Sequence, residues 1–333
     1  MANLFYCWQK LLSRVGLGTK LIQNERKKKE NNKLENNELK KNTNFSPEAL
    51  QLFKALEKEA PKIKDLLINS YKGIPTSPEV EEEVYNYCVT HSVIFAVTTS
   101  NPGTSLLTEF LYEGISSPSP LDNYFLQCKA GKAVKARLLA IEKELPRIIE
   151  EYLSTRKEII IGSLGSGPGR DIIEVFSKYY RNNFSVKAIL IDKDKTVLER
   201  GKRMAAIKKV ENQIEFIEGN FLKYKPPRKF DIVLLIGILC PLTFETCITI
   251  LKRIKKTLKK GGCLIASNIS EKMLKEDPFT YHIMKWGANW KMIFKNEKEL
   301  KKIFEKAGYM WRGCFSDAYG FHIIGKGIPR FYF

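Results

Sequence analysis

Two periodicities divide the chain. From about residue 46 to 154 apolar positions recur at helical spacing, which predicts helices over 50–67, 79–91, 106–113 and 130–152. Pro75, Pro78, Pro102, Pro118 and Pro120 punctuate the joints. Ser46 before Pro47 fits a helix start, with the serine as cap and the proline where a missing N–H is harmless. From about residue 155 short apolar runs alternate with amphipathic segments. Strands are expected near 158–164, 186–191, 214–217, 230–236, 263–267, 310–315 and 321–326, and helices near 170–180, 196–210, 243–258 and 297–307. Such alternation predicts an α/β class with a parallel sheet. The last two strands are separated only by residues 316–320, close enough for an antiparallel hairpin.

The segment 158–171, E-I-I-I-G-S-L-G-S-G-P-G-R-D, joins a buried strand to a glycine-rich turn and then to a helix. Gly165, Gly167 and Gly169 stand at alternate positions, where a missing Cβ permits positive φ and lets a ligand lie against bare backbone. A dinucleotide fingerprint would require its third glycine at position 170, which is Arg170, so a dehydrogenase is disfavoured. The run ending at Ile191 is followed by Asp192, whose carboxylate at a strand tip can accept hydrogen bonds from both hydroxyls of a ribose. Two blander roles stay open here: the glycines could serve only the turn, and Asp192 could cap a helix beginning near Thr196.

The sequence from Leu164 to Gly169, followed by Ile191 and Asp192, resembles the nucleotide half of class I S-adenosylmethionine-dependent methyltransferases. That resemblance covers roughly residues 158 to 326 and implies a Rossmann-like, seven-stranded, mostly parallel sheet with an antiparallel last strand, here preceded by an all-helical domain. It implies S-adenosyl-L-methionine as cofactor. It also places Gly165, Ser166, Gly167, Gly169 and Asp192 around it, with Lys193 along the adenine edge. Glu218-Gly219-Asn220-Phe221 resembles the end of the family's third strand, where the Asn220 side chain meets the adenine amino group and the Phe221 N–H a ring nitrogen; Asn220 as a plain turn residue is the alternative. The stretch 230–236 resembles the fourth strand, which puts Ile236 and Gly237 beside the cofactor, and 258–265 resembles the turn into the fifth.

Composition narrows the class further. At 333 residues the chain has room for one large domain or two ordinary ones. The division expected is a basic, flexible arm over 1–45, a helical cap over 46–154, and the cofactor-binding domain over 155–333. The formal net charge of +19 invites an RNA or membrane partner. Residues 1–45, however, hold ten Lys or Arg against four Glu, and 251–310 hold fifteen against six acids, so much of the excess lies in a polar arm and on lysine-rich helices. RNA is therefore the less favoured partner. Seven scattered cysteines without a C-x-x-C pair, and three separated histidines, support neither a metal centre nor a disulfide framework. A reduced, cytoplasmic protein is expected, with no membrane-spanning segment. Phe5, Trp8, Leu11, Leu12 and Val15, in an acid-free stretch over 1–24, could make weak peripheral contact with a membrane.

The chemistry is less specified. Methyl transfer needs alignment of nucleophile, methyl carbon and sulfur, and a base only where the acceptor must lose a proton. His282 and Tyr281, in the insertion 268–294, are the candidate catalytic residues, although His282 reads more readily as a surface or core histidine. Cys240 reads as a small buried residue rather than a nucleophile. Trp286 and Trp290, four apart, suit one helical face that forms a substrate wall or docks on the helical domain. The N-P-P-Y signature of amino-group methylation is absent. Residues 116–124 and 133–137 distantly resemble the lead-in of bacterial methyltransferases that esterify fatty acids. The expected activity is direct transfer of a methyl group to a small-molecule or lipid-like acceptor. The alternatives are aminocarboxypropyl transfer, as in nicotianamine synthase-like proteins, and RNA methylation.

Overall fold

The computed structural model of the protein describes residues 45–100 and 104–330. The arm expected over 1–45, with its membrane-contacting stretch, lies outside the described residues apart from Phe45.

Among the described residues seven helices come first: α1 (Pro47–Glu59), α2 (Pro61–Lys72), α3 (Pro78–His91), α4 (Val93–Ser100), α5 (Ser105–Glu113), α6 (Pro120–Gln127) and α7 (Lys129–Leu153). The Ser46 hydroxyl accepts the Ala49 N–H at 3.2 Å, as the Ser-Pro start predicts. The single helix expected over 50–67 is two, because Pro61 forces Ala60 out of the helical region, to φ −153° and ψ 67°. Helix α4 has no local signal, being short and apolar on every side. Its first N–H groups are capped from a distance, with Asp122 accepting those of Val93 and Ile94 at 3.2 and 3.1 Å.

The remainder alternates as the pattern predicts: β1 (Ile159–Leu164), α8 (Arg170–Val175, continued by a π-turn over Phe176–Tyr180), β2 (Val186–Asp192), α9 (Lys195–Ile207), β3 (Ile214–Glu218), β4 (Phe230–Leu235), α10 (Phe244–Lys255), β5 (Leu258–Ile269), α11 (Lys272–Glu276), α12 (Pro278–Ala288), α13 (Glu297–Lys306), β6 (Tyr309–Ser316) and β7 (His322–Pro329). These strands form one seven-stranded sheet in the order β3-β2-β1-β4-β5-β7-β6. Neighbours pair in parallel from β3 to β5, whereas β7 runs antiparallel to both β5 and β6. The order reverses between β1 and β4. Chain leaving those two strands therefore diverges and opens a crevice at their carboxyl ends.

Helix α7 joins two hydrophobic clusters. Its Ala130 and Ala133 pack among the preceding helices, while Ile141, Leu145, Ile148 and Ile149 pack on the sheet with Ile159 and Ile172. The insertion after β5 also joins the helical cluster, through Met273, Phe279 and Ile283. Phe279 meets Phe53 and Tyr71 edge-on, at 5.2 and 5.4 Å between ring centroids. The wall above the crevice is thus built from both ends of the chain.

Candidate active site

The parallel register that sets Leu164 beside Ile191 fixes the first part of the site. It carries the glycine loop alongside the tip of β2, where the Gly165 and Ser166 N–H groups both donate to the Ile191 carbonyl at 2.8 and 3.1 Å. Gly165, Gly167 and Gly169 all have positive φ, at 66°, 55° and 76°. A side chain at Gly167 would begin 2.8 Å from the Ser105 Cβ, so the helical region lies directly on this loop. At Gly169 a Cβ would fall 1.8 Å from a Leu190 methyl. Gly169 does not line the cavity described below; it lets the loop pack on β2.

Asp192 accepts the Gly167 N–H at 2.8 Å through Oδ2 and the Asp194 N–H at 3.1 Å through Oδ1. The capping role open to Asp192 in the sequence belongs to Asp194, which accepts the Thr196 and Val197 N–H groups. Each Asp192 oxygen therefore keeps a lone pair for a further donor. Asn220 makes the turn the sequence allowed, its Oδ1 accepting the Leu222 N–H at 2.9 Å. Gly237, at φ 78°, donates its N–H to the Ser267 hydroxyl at 2.8 Å.

A cavity of about 570 Å³ runs from this loop into the helical region. Its floor includes Gly165, Ser166, Gly167, Asp192, Lys193, Asn220, Phe221, Ile236 and Gly237, which are nine of the ten residues expected to hold a cofactor. The opposite wall is apolar, with Phe95, Leu107, Leu111, Ile283 and Met292. The volume lies within the range usual for small-molecule sites.

Neither expected catalytic side chain reaches this cavity. Tyr281 is fully buried and meets Phe294 edge-on at 5.1 Å. The His282 Nε2 lies 3.1 Å from the Ser70 hydroxyl, between α12 and α2, and burial pushes its imidazole down to about 4. Both are packed against other segments, and Ile283 and Met284 are neighbours on α12 that line the cavity. The paired tryptophans also part company. Helix α12 ends at Ala288 with Asn289 left-handed at φ 47°, so Trp290 lines the cavity while Trp286 packs on Phe95. Cys240 lies in the wall, buried, with its thiol pushed up by burial, as befits a packing residue.

Among the polar groups that line the cavity without having been anticipated as site residues, two stand out by their burial and charge. His322, at the start of β7, is buried and pairs its Nδ1 with Asp317 Oδ2 at 3.0 Å. Burial pushes the Asp317 carboxyl up, but the His322 hydrogen bond and charge and two backbone N–H groups outweigh it and hold the carboxyl below its usual range. The pair therefore puts the proton on Nδ1. Nε2 is left without a protein partner among the described residues. Burial, aided by the charge of Arg137, keeps the ring neutral against the opposing pull of Asp317. Arg137, on α7, is also buried. A basic residue within the apolar stripe of Ala130, Ala133, Leu138 and Ile141 was the available sequence signal. For His322 the signal was slighter: an Asp and a His five residues apart across a hairpin turn.

Arg170 ties the two regions together. Its Nη2 donates to Glu109 at 2.8 Å and also pairs with Glu113, both on α5. The residue that interrupts a dinucleotide fingerprint is thus the anchor of the helical wall.

A carboxylate with free lone pairs at the tip of β2, a loop stripped of side chains and an amide at the end of β3 fit an adenosine-bearing ligand. Residues 157–308 match the family model of a methyltransferase domain. Among solved structures, a protein from Bordetella parapertussis superposes with a TM-score of 0.59 at 16% identity, covering 83% of this chain and 97% of that one. Magnesium protoporphyrin IX methyltransferase from Synechocystis PCC 6803, solved with S-adenosylhomocysteine bound, superposes with a TM-score of 0.51 at 13% identity, covering 72% and 98%. No curated protein sequence matches the chain. Residues 157–308 thus form a methyltransferase domain, and the chain shares the fold of these solved structures. Among the described residues no helix is long and apolar enough to cross a membrane, and no cluster of metal-ligating side chains occurs.

Proposed function

We propose that the enzyme methylates a hydroxyl oxygen of an apolar, lipid-like small molecule held between the glycine loop and the helical cap formed by residues 46–154. The observation that carries this reading is the cavity floored by the glycine loop and Asp192, walled by apolar side chains, and lined by His322 with Asp317 behind it. The solved relative named for magnesium protoporphyrin IX methylation is in keeping with a small-molecule acceptor.

Asp192 would hold the ribose hydroxyls, Asn220 and the Phe221 N–H the adenine, and Lys193 its edge. Gly165, Ser166, Gly167, Ile236 and Gly237 would supply close-fitting backbone. The cofactor, when bound, supplies an electrophilic methyl carbon, so this chain need only align the acceptor and take its proton. His322 is suited to that step: neutral, with Nδ1–H fixed by Asp317, it presents Nε2 as the acceptor of the hydroxyl proton.

The test is incubation with S-adenosylmethionine and a panel of hydroxylated fatty acids and phenols, followed by mass analysis. S-adenosylhomocysteine together with an acceptor heavier by one CH₂ is expected. Methylthioadenosine as coproduct would overturn methyl transfer in favour of aminocarboxypropyl transfer.

A further inference from the structure

Arg137 is a buried cation without a counterion. It is 9% exposed, and among the described residues no carboxylate lies within 4 Å of its guanidinium. Its Nη2 donates to the Tyr112 hydroxyl at 3.1 Å, and its Nε is a buried donor with no partner. A guanidinium cannot shed its charge by losing a proton. Burying it alone costs several kcal/mol, so a compensating anion is expected to enter from the cavity it lines.

A second charge stands on the same wall. Asp171, two residues past Gly169, lines the cavity and, among the described residues, pairs with no cation within 4 Å; its Oδ1 accepts the Ile172 N–H at 3.0 Å. Burial pushes its carboxyl up to about 6, while the field of Arg137 draws it down. The two charges sense each other without closing an ion pair. Gly237 adds a position: a Cβ there would lie 3.6 Å from an Arg137 Nη1, which puts the guanidinium at the end of β4, across the crevice from the glycine loop.

A cation and an anion held apart beside that loop complement a zwitterion. We propose that Arg137, with the Tyr112 hydroxyl, binds the carboxylate of the cofactor's amino-acid end and that Asp171 binds its ammonium. The assignment rests on the reading that the cofactor occupies the glycine-loop side of the cavity. It makes the helical region part of the cofactor site, and it gives the enzyme a means of rejecting adenosine thioethers that lack the amino acid.

The test is calorimetric titration of wild type, Arg137→Gln and Asp171→Asn with S-adenosylhomocysteine and with methylthioadenosine, which shares the nucleoside but lacks the amino-acid end. Each variant is expected to bind S-adenosylhomocysteine about ten- to a hundredfold more weakly, the scale of a charge-assisted hydrogen bond, with methylthioadenosine affinity held within about threefold. Equal losses for both ligands, or unchanged S-adenosylhomocysteine affinity in Arg137→Gln, would overturn the proposal; the latter would assign the cation to the acceptor. Should a variant fail to fold, wild type alone decides: it should prefer S-adenosylhomocysteine to its decarboxylated form by at least about tenfold, and equal affinity sinks the assignment. Wild type that binds none of these ligands would instead overturn the placement of the cofactor itself.

Discussion

Asp317 holds His322 twice, accepting its backbone N–H and, at 3.0 Å, its Nδ1–H. Both bonds span the turn of the β6–β7 hairpin, so the strand pairing itself orients the imidazole. Since burial keeps the folded His322 below its ordinary range, the ring is neutral at pH 7 and protonates only on acidification. With an identified acceptor, activity should fall as pH drops through a value below 6.5. His322→Gln should lower kcat by about 10²- to 10⁴-fold and leave S-adenosylhomocysteine affinity unchanged. An intact rate would remove His322 from the proton transfer.

Asp192 fixes the Gly167 N–H and keeps lone pairs that the proposed function assigns to a ribose. Asp192→Ala is expected to weaken S-adenosylhomocysteine binding by about 1.5–3 kcal/mol without unfolding the protein. Calorimetry with a parallel thermal melt checks both halves, and unchanged affinity would refute the ribose assignment.

Arg170 pairs with Glu109, which is only 2% exposed. Arg170→Met leaves that carboxylate buried and unpaired, at a cost on the order of 3 kcal/mol. Adding Glu109→Leu should restore most of the loss, since both charged partners are then gone. A denaturant double-variant cycle measures it, and additive losses would show that the two residues are not coupled.

His282 sets an acid limit on stability. Its folded value of about 4 lies below the unfolded 6.5, so between those values the unfolded chain takes up the proton first. Stability is fully present above pH 6.5 and declines toward pH 4 by an amount on the order of 3 kcal/mol. His282→Gln should flatten that decline in urea denaturation at pH 7 and 4.5. An unchanged slope would place the titrating group elsewhere.

The glycine loop, Asp192 and the end of β3 were legible because each depends on a few consecutive residues at a strand tip. Positive φ at Gly165, Gly167 and Gly169 needs only local geometry. Helix α4 was not legible, since its cap, Asp122, lies in α6. His282 and Tyr281 were poor candidates for a related reason: which face of α12 meets the cavity depends on the helices packed against it. The tryptophans could not be paired from spacing alone, because Asn289 ends the helix between them.

By itself the sequence determined the strand and helix order, the mostly parallel sheet with its closing hairpin, and the glycine-loop floor of the cavity. Those features follow from hydrophobic period and from glycine's freedom at positive φ, both of which act over a few residues. Tertiary structure alone decided what stands opposite that floor. Arg137 reaches the cavity because α7 runs from the helical cluster onto the sheet, and His322 because β7 inserts between β5 and β6. Their burial, and the charges and proton positions that burial imposes, arise from contacts between segments far apart in the chain.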